Sequence, residues 1–301
     1  MKRIFLHFIV LLLSVKLLAQ QDEQMSFYQY TQTAFNPSYT GMKGRLNCSV
    51  LSRFQWVNFP GAPNTQWLSV HSAFFKTRLG IGANFIHDQI GKRRRTGVNM
   101  QVASGIKLNE NDNVRLGLSL GFDQYHVDLS EALVNDPNDA LAVNQFSYTH
   151  LNAGLGIYYC GKKFSIGFSI PRIFPVTKMS NVHFVNLYSP HYYLSASRLF
   201  EINNKLGWRQ SFLLKYVRNA PITIDLNSTL VVNDRFHLGI LYRLHEAIGI
   251  SGLMKIKEQM TIGYNYDFPI NSLFSYQGGT HEVMLQFELK EKVTEEGTPK
   301  F

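Results

Sequence analysis

Two pairs of neighbours in this 301-residue chain, His87–Asp88 and His281–Glu282, carry side chains that could move a proton. A histidine held by a carboxylate is a common general base. Both pairs, however, lie in segments that alternate like strands, where adjacent residues point to opposite faces. The chain's ten histidines are spread singly along it, and no HExxH, Walker loop or paired-cysteine spacing occurs. Cys48 and Cys160 are too few for a disulfide scaffold. They fall on opposite faces of their strands, which predicts two free thiols. The reading is a non-enzymatic protein with no cofactor and no metal.

Four other clusters carry residues suited to recognition. "RFQWVNFPGAPNTQ" at 53–66 has Arg53, Gln55, Trp56 and Phe59 around a turn stiffened by Pro60, Gly61 and Pro63. Such a loop is either a rigid hairpin tip or a cap that docks a partner. "FNPSYTG" at 35–41 offers Asn36, Pro37, Tyr39 and Gly41 ahead of the first strand, on a periplasmic extension or a plug. "HDQIGKRRR" at 87–95 puts Asp88 at the mouth of the fold and Lys92, Arg93, Arg94 and Arg95 on a loop. Those four cations either contact lipopolysaccharide phosphates or are a solvated run. "YDFPINSLFSYQGGTHEVML" at 266–285 carries Asp267, Gly278, Gly279, His281 and Glu282.

The elements that position these residues follow from a period of two. In "VRLGLSLGF" Val114, Leu116, Leu118, Leu120 and Phe122 alternate with Arg115, Gly117, Ser119 and Gly121. "FSIGFSI", "RFHLGILYRL" and "MTIGYNYDF" repeat the pattern. The second face is mostly Gly, Ser, Asn and Gln, unlike the Lys- and Glu-rich outer face of a soluble sandwich. An apolar aromatic face toward lipid and small polar residues toward a lumen predict an all-β fold, a closed antiparallel outer-membrane barrel. Strands are expected near 44–55, 64–75, 78–88, 96–107, 113–126, 149–160, 163–170, 190–200, 206–217, 221–231, 234–244, 246–256, 259–268 and 281–290, about fourteen. With the chain starting in the periplasm, the turns at 76, 109, 161, 201, 233 and 257 are short, and the long connections near 127–148, 171–189 and 269–280 face outward.

Composition agrees. The chain is 45% hydrophobic and 17% charged, too apolar for disorder. Residues 1–19 open with Lys2 and Arg3, run apolar and end on Ala19, which reads as a signal peptide. Its removal takes away Lys2, Arg3 and Lys16, and the net charge falls from +9 to +6. That balance suits outer-membrane lipid and no nucleic acid. The expected organisation is a signal peptide at 1–19, a periplasmic or plug segment at 20–43, a barrel at 44–290 and a polar tail at 291–301.

The four clusters together resemble the PorP/SprF family of the type IX secretion system of the Bacteroidetes. Asn36, Pro37, Ser38, Tyr39 and Gly41 match its early Asn-Pro-Ala-Tyr-x-Gly element, with Ser38 where alanine is usual. Arg53, Gln55, Trp56, Val57, Phe59, Pro60, Gly61, Ala62 and Pro63 match the next, with Asn58 where glycine is common. Asp88, Ile90 and Gly91 follow, and Tyr266, Asp267, Phe268, Gly278, Gly279, His281 and Glu282 close the series. The tail "EKVTEEGTPKF" continues past the last strand, a departure from a barrel that ends on its closing strand. The resemblance implies an outer-membrane protein of secretion or gliding motility. Its implied role is to anchor or receive a secreted adhesin through that adhesin's C-terminal sorting domain. It also implies contact with a periplasmic peptidoglycan-binding lipoprotein or other secretion-system subunits. The competing expectation is a passive channel or small-molecule transporter, since about fourteen strands can enclose a lumen.

Overall fold

Alternation becomes, in the computed structural model, one antiparallel sheet closed on itself. The structure describes residues 22–74, 78–128, 145–180 and 183–289. The signal segment 1–19 and the tail 291–301 lie outside the described residues. In chain order the strands are β1 (Asn47–Phe54), β2 (Asn64–Ala73), β3 (Leu79–Ile90), β4 (Arg93–Lys107), β5 (Asn113–Asp128), β6 (Gln145–Cys160), β7 (Phe164–Ile170) and β8 (Val176–Ser180). They continue as β9 (His183–Tyr188), β10 (His191–Asn203), β11 (Leu206–Val217), β12 (Thr223–Val232), β13 (Phe236–Arg243), β14 (Ala247–Lys257), β15 (Met260–Pro269) and β16 (Thr280–Glu288). Fourteen of them build the barrel, each paired with the next, β7 with β10 and β16 with β1. The closing pair sets Asn47 opposite Glu288 and Phe54 opposite His281. Closure leaves no row of unpaired backbone groups in hydrocarbon.

All fourteen expected strands are present, with differences at the rim, among them an earlier start of β6, at Gln145 instead of residue 149. β4 begins at Arg93 instead of residue 96, because Gly91 adopts a φ of +55° and permits a two-residue turn. The 171–189 connection contains a hairpin of its own, β8–β9, which joins no barrel strand. Short connections gather at the end where β1 starts and β16 stops, and the described long ones gather at the other. In outer-membrane barrels the short-turn end faces the periplasm.

The outer face is apolar along its height, as on β5, where Leu116, Leu118 and Leu120 are exposed while Arg115 and Ser119 are buried. Cys48 lies outward beside Val50, Cys160 lies on the other face beside a turn, and both thiols are free.

The inner face holds more than small polar residues. Residues 22–43 run down inside the barrel. Asp22 N–H donates to His191 Nε2 at the outer end (2.9 Å), and Lys43 pairs with Glu288 at the periplasmic end. Met25, Phe27, Tyr28 and Phe35 from this segment pack on inward Leu51, Trp67, Ile86, Leu213, Leu241 and Met284. Each such side chain taken fully out of water contributes about 1.5–3 kcal/mol. The barrel therefore has a hydrophobic core inside its lumen as well as a lipid-facing shell.

Candidate functional site

The luminal segment is held at three levels, and the motif residues supply much of the grip. At the middle level, Arg53 at the end of β1 is 1% exposed. Its Nη1 donates to Glu282 Oε2 and its Nη2 to Asp267 Oδ2, both at 2.8 Å. Glu282 also accepts the backbone N–H groups of Ser26 (2.9 Å) and Phe27 (2.7 Å). Ser26 Oγ donates to Asp267 Oδ2 at 2.7 Å, and Asn265 Nδ2 donates to the other oxygen at 2.6 Å. Behind them Arg243 makes a two-armed pair with Asp225, both contacts at 3.0 Å. Charge-assisted bonds of this kind are the strong ones, and a buried charge is tolerated when paired and hydrogen-bonded. These carboxylates are committed to guanidinium and amide partners, an arrangement that grips a chain.

At the outer level Asp22 pairs with Arg172, and Arg95 pairs with Glu23 and with Asp123 (2.8 Å). Burial alone would raise the Asp22 carboxyl. Arg172, His191 and Arg95 outweigh it and hold the group well below the usual carboxylate range. Arg172 comes from the 171–190 connection, stacks 3.9 Å over the Tyr188 ring and donates to Tyr125 Oη (3.2 Å). His191 contacts the Ser189 carbonyl through Nδ1 and accepts from Asp22 through Nε2, which assigns the proton to Nδ1.

At the lower level Asn36, Pro37, Tyr39 and Gly41 lie flat against the wall. Asn36 Oδ1 accepts from Ser38 N–H (3.0 Å) and caps the short turn Pro37–Tyr39. Arg115 donates to the carbonyls of Ser38 (3.0 Å) and Thr40 (2.6 Å). The wall is glycine where the segment touches it. A Cβ on Gly117 would sit 2.2 Å from Ser38 N, and one on Gly80 would sit 2.0 Å from Thr40 O. Tyr39 meets Tyr158 edge-on at 5.6 Å, and burial pushes its hydroxyl up to about 12.

Above the clamp, the stiff loop and the Gly-Gly loop form a joined apron. Val57 N–H donates to Gly279 O (2.9 Å), Gly278 N–H to Val57 O (2.7 Å), and Gly91 N–H to Gly61 O (2.9 Å). Gln55 N–H closes the loop onto Pro63 O at 3.0 Å. Asn58 has a φ of +71°, a left-handed position, which accounts for glycine being common there. Trp56 packs edge-on to Phe59 at 6.1 Å beside Pro60, and Phe59, Phe274 and Tyr276 are exposed on this rim.

Asp88 faces inward and accepts from Thr65 Oγ1 at 2.6 Å. His281 faces the other way from Glu282, against the rings of Tyr264 and Tyr266. The four-cation run is divided by strand alternation, which corrects its placement on one loop. Lys92 lies in the turn and Arg94 is exposed. Arg95 is buried in the outer clasp, and Arg93 donates to Leu187 O (2.8 Å) over the Tyr125 ring. Neither Arg93 nor Arg95 is presented to lipid. Sequence reading also passed over Asp22, Ser26, Asp123, Asp225, Arg172 and Arg243. Asp123, Asp225 and Arg243 carried a signal, as charged residues on the inward parity of their strands. Gly117 to Gly121 spells GxSxG, but mid-strand in β5, without the strand-to-helix turn that such a nucleophile needs. Among the described residues no cluster of His, Cys, Asp or Glu could hold a metal ion.

Solved structures share the architecture at low identity. A protein titled CymD monoaromatic hydrocarbon channel aligns over 86% of this chain and 92% of its own, with a TM-score of 0.54 and 11% identity. A Pseudomonas aeruginosa FadL homologue aligns over 86% and 94%, with a TM-score of 0.49 and 10% identity. The likeness to the first shows the barrel fold alone. No curated protein matches the chain. The family model described as type IX secretion system membrane protein PorP/SprF matches residues 17–287.

Proposed function

The chain belongs to the PorP/SprF family of type IX secretion system outer-membrane proteins, and from that premise we propose that it is a sealed anchoring platform. It is an outer-membrane component of that system, a family associated with other secretion-system subunits. In our reading the barrel carries no solute and catalyses no reaction. Its outer apron receives a secreted adhesin through the adhesin's C-terminal sorting domain. Its periplasmic end contacts a peptidoglycan-binding lipoprotein or another subunit.

The observation that carries this reading is the grip of Glu282 on Ser26 and Phe27, within a lumen packed by apolar side chains. A channel needs a continuous polar bore, whereas here the bore is filled at the height of the clamp. Filling it with residues from both ends of the sequence fixes the apron loops above, because Arg53 and Glu282 flank the stiff loop and the Gly-Gly loop directly. Rigid, aromatic-tipped loops on a stiff scaffold suit protein recognition.

The test combines planar bilayers with crosslinking. Purified protein should show no steady conductance, and tagged protein from crosslinked cells should retrieve a secreted surface protein. Steady conductance with no retrieved protein would overturn the proposal in favour of a channel.

A further inference from the structure

Beside the luminal segment, between Gln29, Tyr30, Tyr39, Met42 and Lys43 and the facing wall, lies a cavity of about 390 Å³. Its lining includes the turn residues Lys162, Lys163 and Arg235, so it opens at the short-turn end. Its size falls among ligand pockets, about 300–1,000 Å³. Six cations line it, Lys43, Lys162, Lys163, Arg209, Arg235 and Lys255, against two carboxylates, Asp234 and Glu288. Lys43 is neutralised by Glu288, and Lys163 pairs with Glu201 at the rim (2.9 Å). Lys162, Arg209, Arg235 and Lys255 then face the cavity with Asp234 as the one remaining anion in the lining. Low-dielectric walls focus such a field on whatever enters.

We propose that this vestibule is a docking site for an acidic peptide segment of a periplasmic protein. The excess positive charge selects an anion. Arg235 and Lys255 are neighbours, joined through Lys255 N–H and Arg235 O at 2.9 Å. Arg209 comes from β11 and Lys162 from the β6–β7 turn, so the cations spread over several strands of the wall and one compact phosphate meets only some of them. Several carboxylates along one chain can. Between the cations lie Tyr30, Tyr39, Met42, Leu199 and Leu253, which suit the side chains of a polypeptide better than a bare polyanion. The proposal rests on the periplasmic orientation used above and adds the chemistry of the partner.

The experiment uses full-length protein in mild detergent and a fluorescein-labelled peptide rich in Asp and Glu. A matched peptide with Asn and Gln at the acidic positions is the control. The acidic peptide should bind, weaken steeply between about 0.05 and 0.3 M salt, and lose more than tenfold in affinity in a Lys162→Gln, Arg209→Gln, Lys255→Gln variant. Cys160 lines the same cavity. In a Cys48→Ser background the acidic peptide should therefore protect Cys160 from a maleimide. A charge-reversed Lys162→Glu, Lys255→Glu variant should instead bind a Lys-rich peptide, which keeps the test decisive if the triple variant folds poorly. Equal binding of the amide control, no protection of Cys160, or an unaffected triple variant would overturn the proposal. So would protection without peptide that disappears on deleting residues 290–301, since the occupant would then be this chain's own tail. Failure of the peptide to bind while crosslinked cells still yield the secreted partner would remove this inference and leave the platform reading standing.

Discussion

The Glu282 carboxylate accepts the backbone N–H of Phe27 at 2.7 Å across 255 residues of chain, so the last strand holds the segment that precedes the first. The same carboxylate is held by Arg53 at 2.8 Å on the neighbouring strand. Barrel closure and the seating of the luminal segment are thus one event. β16 must be beside β1 before Glu282 and Arg53 can share the Ser26–Phe27 turn.

Glu282→Gln keeps the side chain's size and removes its charge. Arg53 then keeps only Asp267 as a charged partner within 3 Å. Removing one partner of a buried pair costs about 3–5 kcal/mol. The expected outcome is a barrel that still assembles but loses its luminal segment at lower denaturant concentration, with intermittent conductance in planar bilayers. Arg53→Met with Glu282→Leu should not recover the loss, because it takes the 2.8 Å guanidinium partner from Asp267 and the carboxylate acceptor from the Ser26 and Phe27 N–H groups. Full stability and silent bilayers for the single variant would show that the clamp does not hold the segment.

The outer clasp gives a pH dependence of defined sign. The folded Asp22 carboxyl lies below its unfolded value of about 3.9. A depressed carboxylate contributes stability that is fully present above the unfolded value and lost as pH falls through the folded one. The share of the N-terminal segment's protease resistance that Asp22 supplies should therefore be lost only below about pH 4. Asp22→Asn should flatten that acid limb and lower resistance at neutral pH. A decline centred near pH 6 would point to histidine instead.

The strand count, the closure, the gathering of the short turns at one end and the fate of both cysteines were legible because one physical rule governs them, a period of two with one greasy face. The filled lumen was legible only in hindsight. Leu51, Leu241, Leu253 and Met284 sit on the inward parity among Ser, Arg, Glu and Gln, where a water-filled bore would have no use for them. Those breaks in alternation were the signal. The Arg53–Glu282 pair could not be derived from spacing, since strand pairing between opposite ends of the chain leaves no local trace. The run at 92–95 misled because four adjacent charges look alike in sequence, while alternation sends Arg93 and Arg95 inward and Arg94 outward. The β8–β9 hairpin was hidden because it pairs with no barrel strand and is free of the bilayer's demand for alternation.

Gly117 and Gly80 test whether the luminal segment needs direct contact with the wall. Valine at Gly117 would drive its Cβ into the backbone of Ser38, 2.2 Å away, and overpacking of this kind typically costs about 1–3 kcal/mol. Gly252 is the control, since its added Cβ would meet nothing closer than 4.0 Å. Gly117→Val should expose residues 22–43 to added protease from the periplasmic side, while Gly252→Ala should behave as the parent. Equal protection in both would mean that the segment has slack at the lower level.

The apron can be disturbed without touching the clamp. Gly279 has a φ of +86°, and a Cβ there would lie 2.3 Å from the Tyr266 hydroxyl, itself donated to Gly278 O at 2.7 Å. Gly279→Ala is therefore strained in backbone and side chain together, and the Val57–Gly279 bond is the contact it should break. Phe274→Ser with Tyr276→Ser removes two exposed rings and no described buried contact. If the apron is the receiving face, both variants should keep a heat-modifiable, non-conducting barrel and lose at least tenfold in recovery of the secreted protein after crosslinking. The serine variant should lose it with no fall in thermal stability, and the Gly279 variant with a modest one. Loss of barrel heat-modifiability together with recovery would make the apron a structural lid alone. Undiminished recovery in both would move the receiving surface elsewhere on the outer rim.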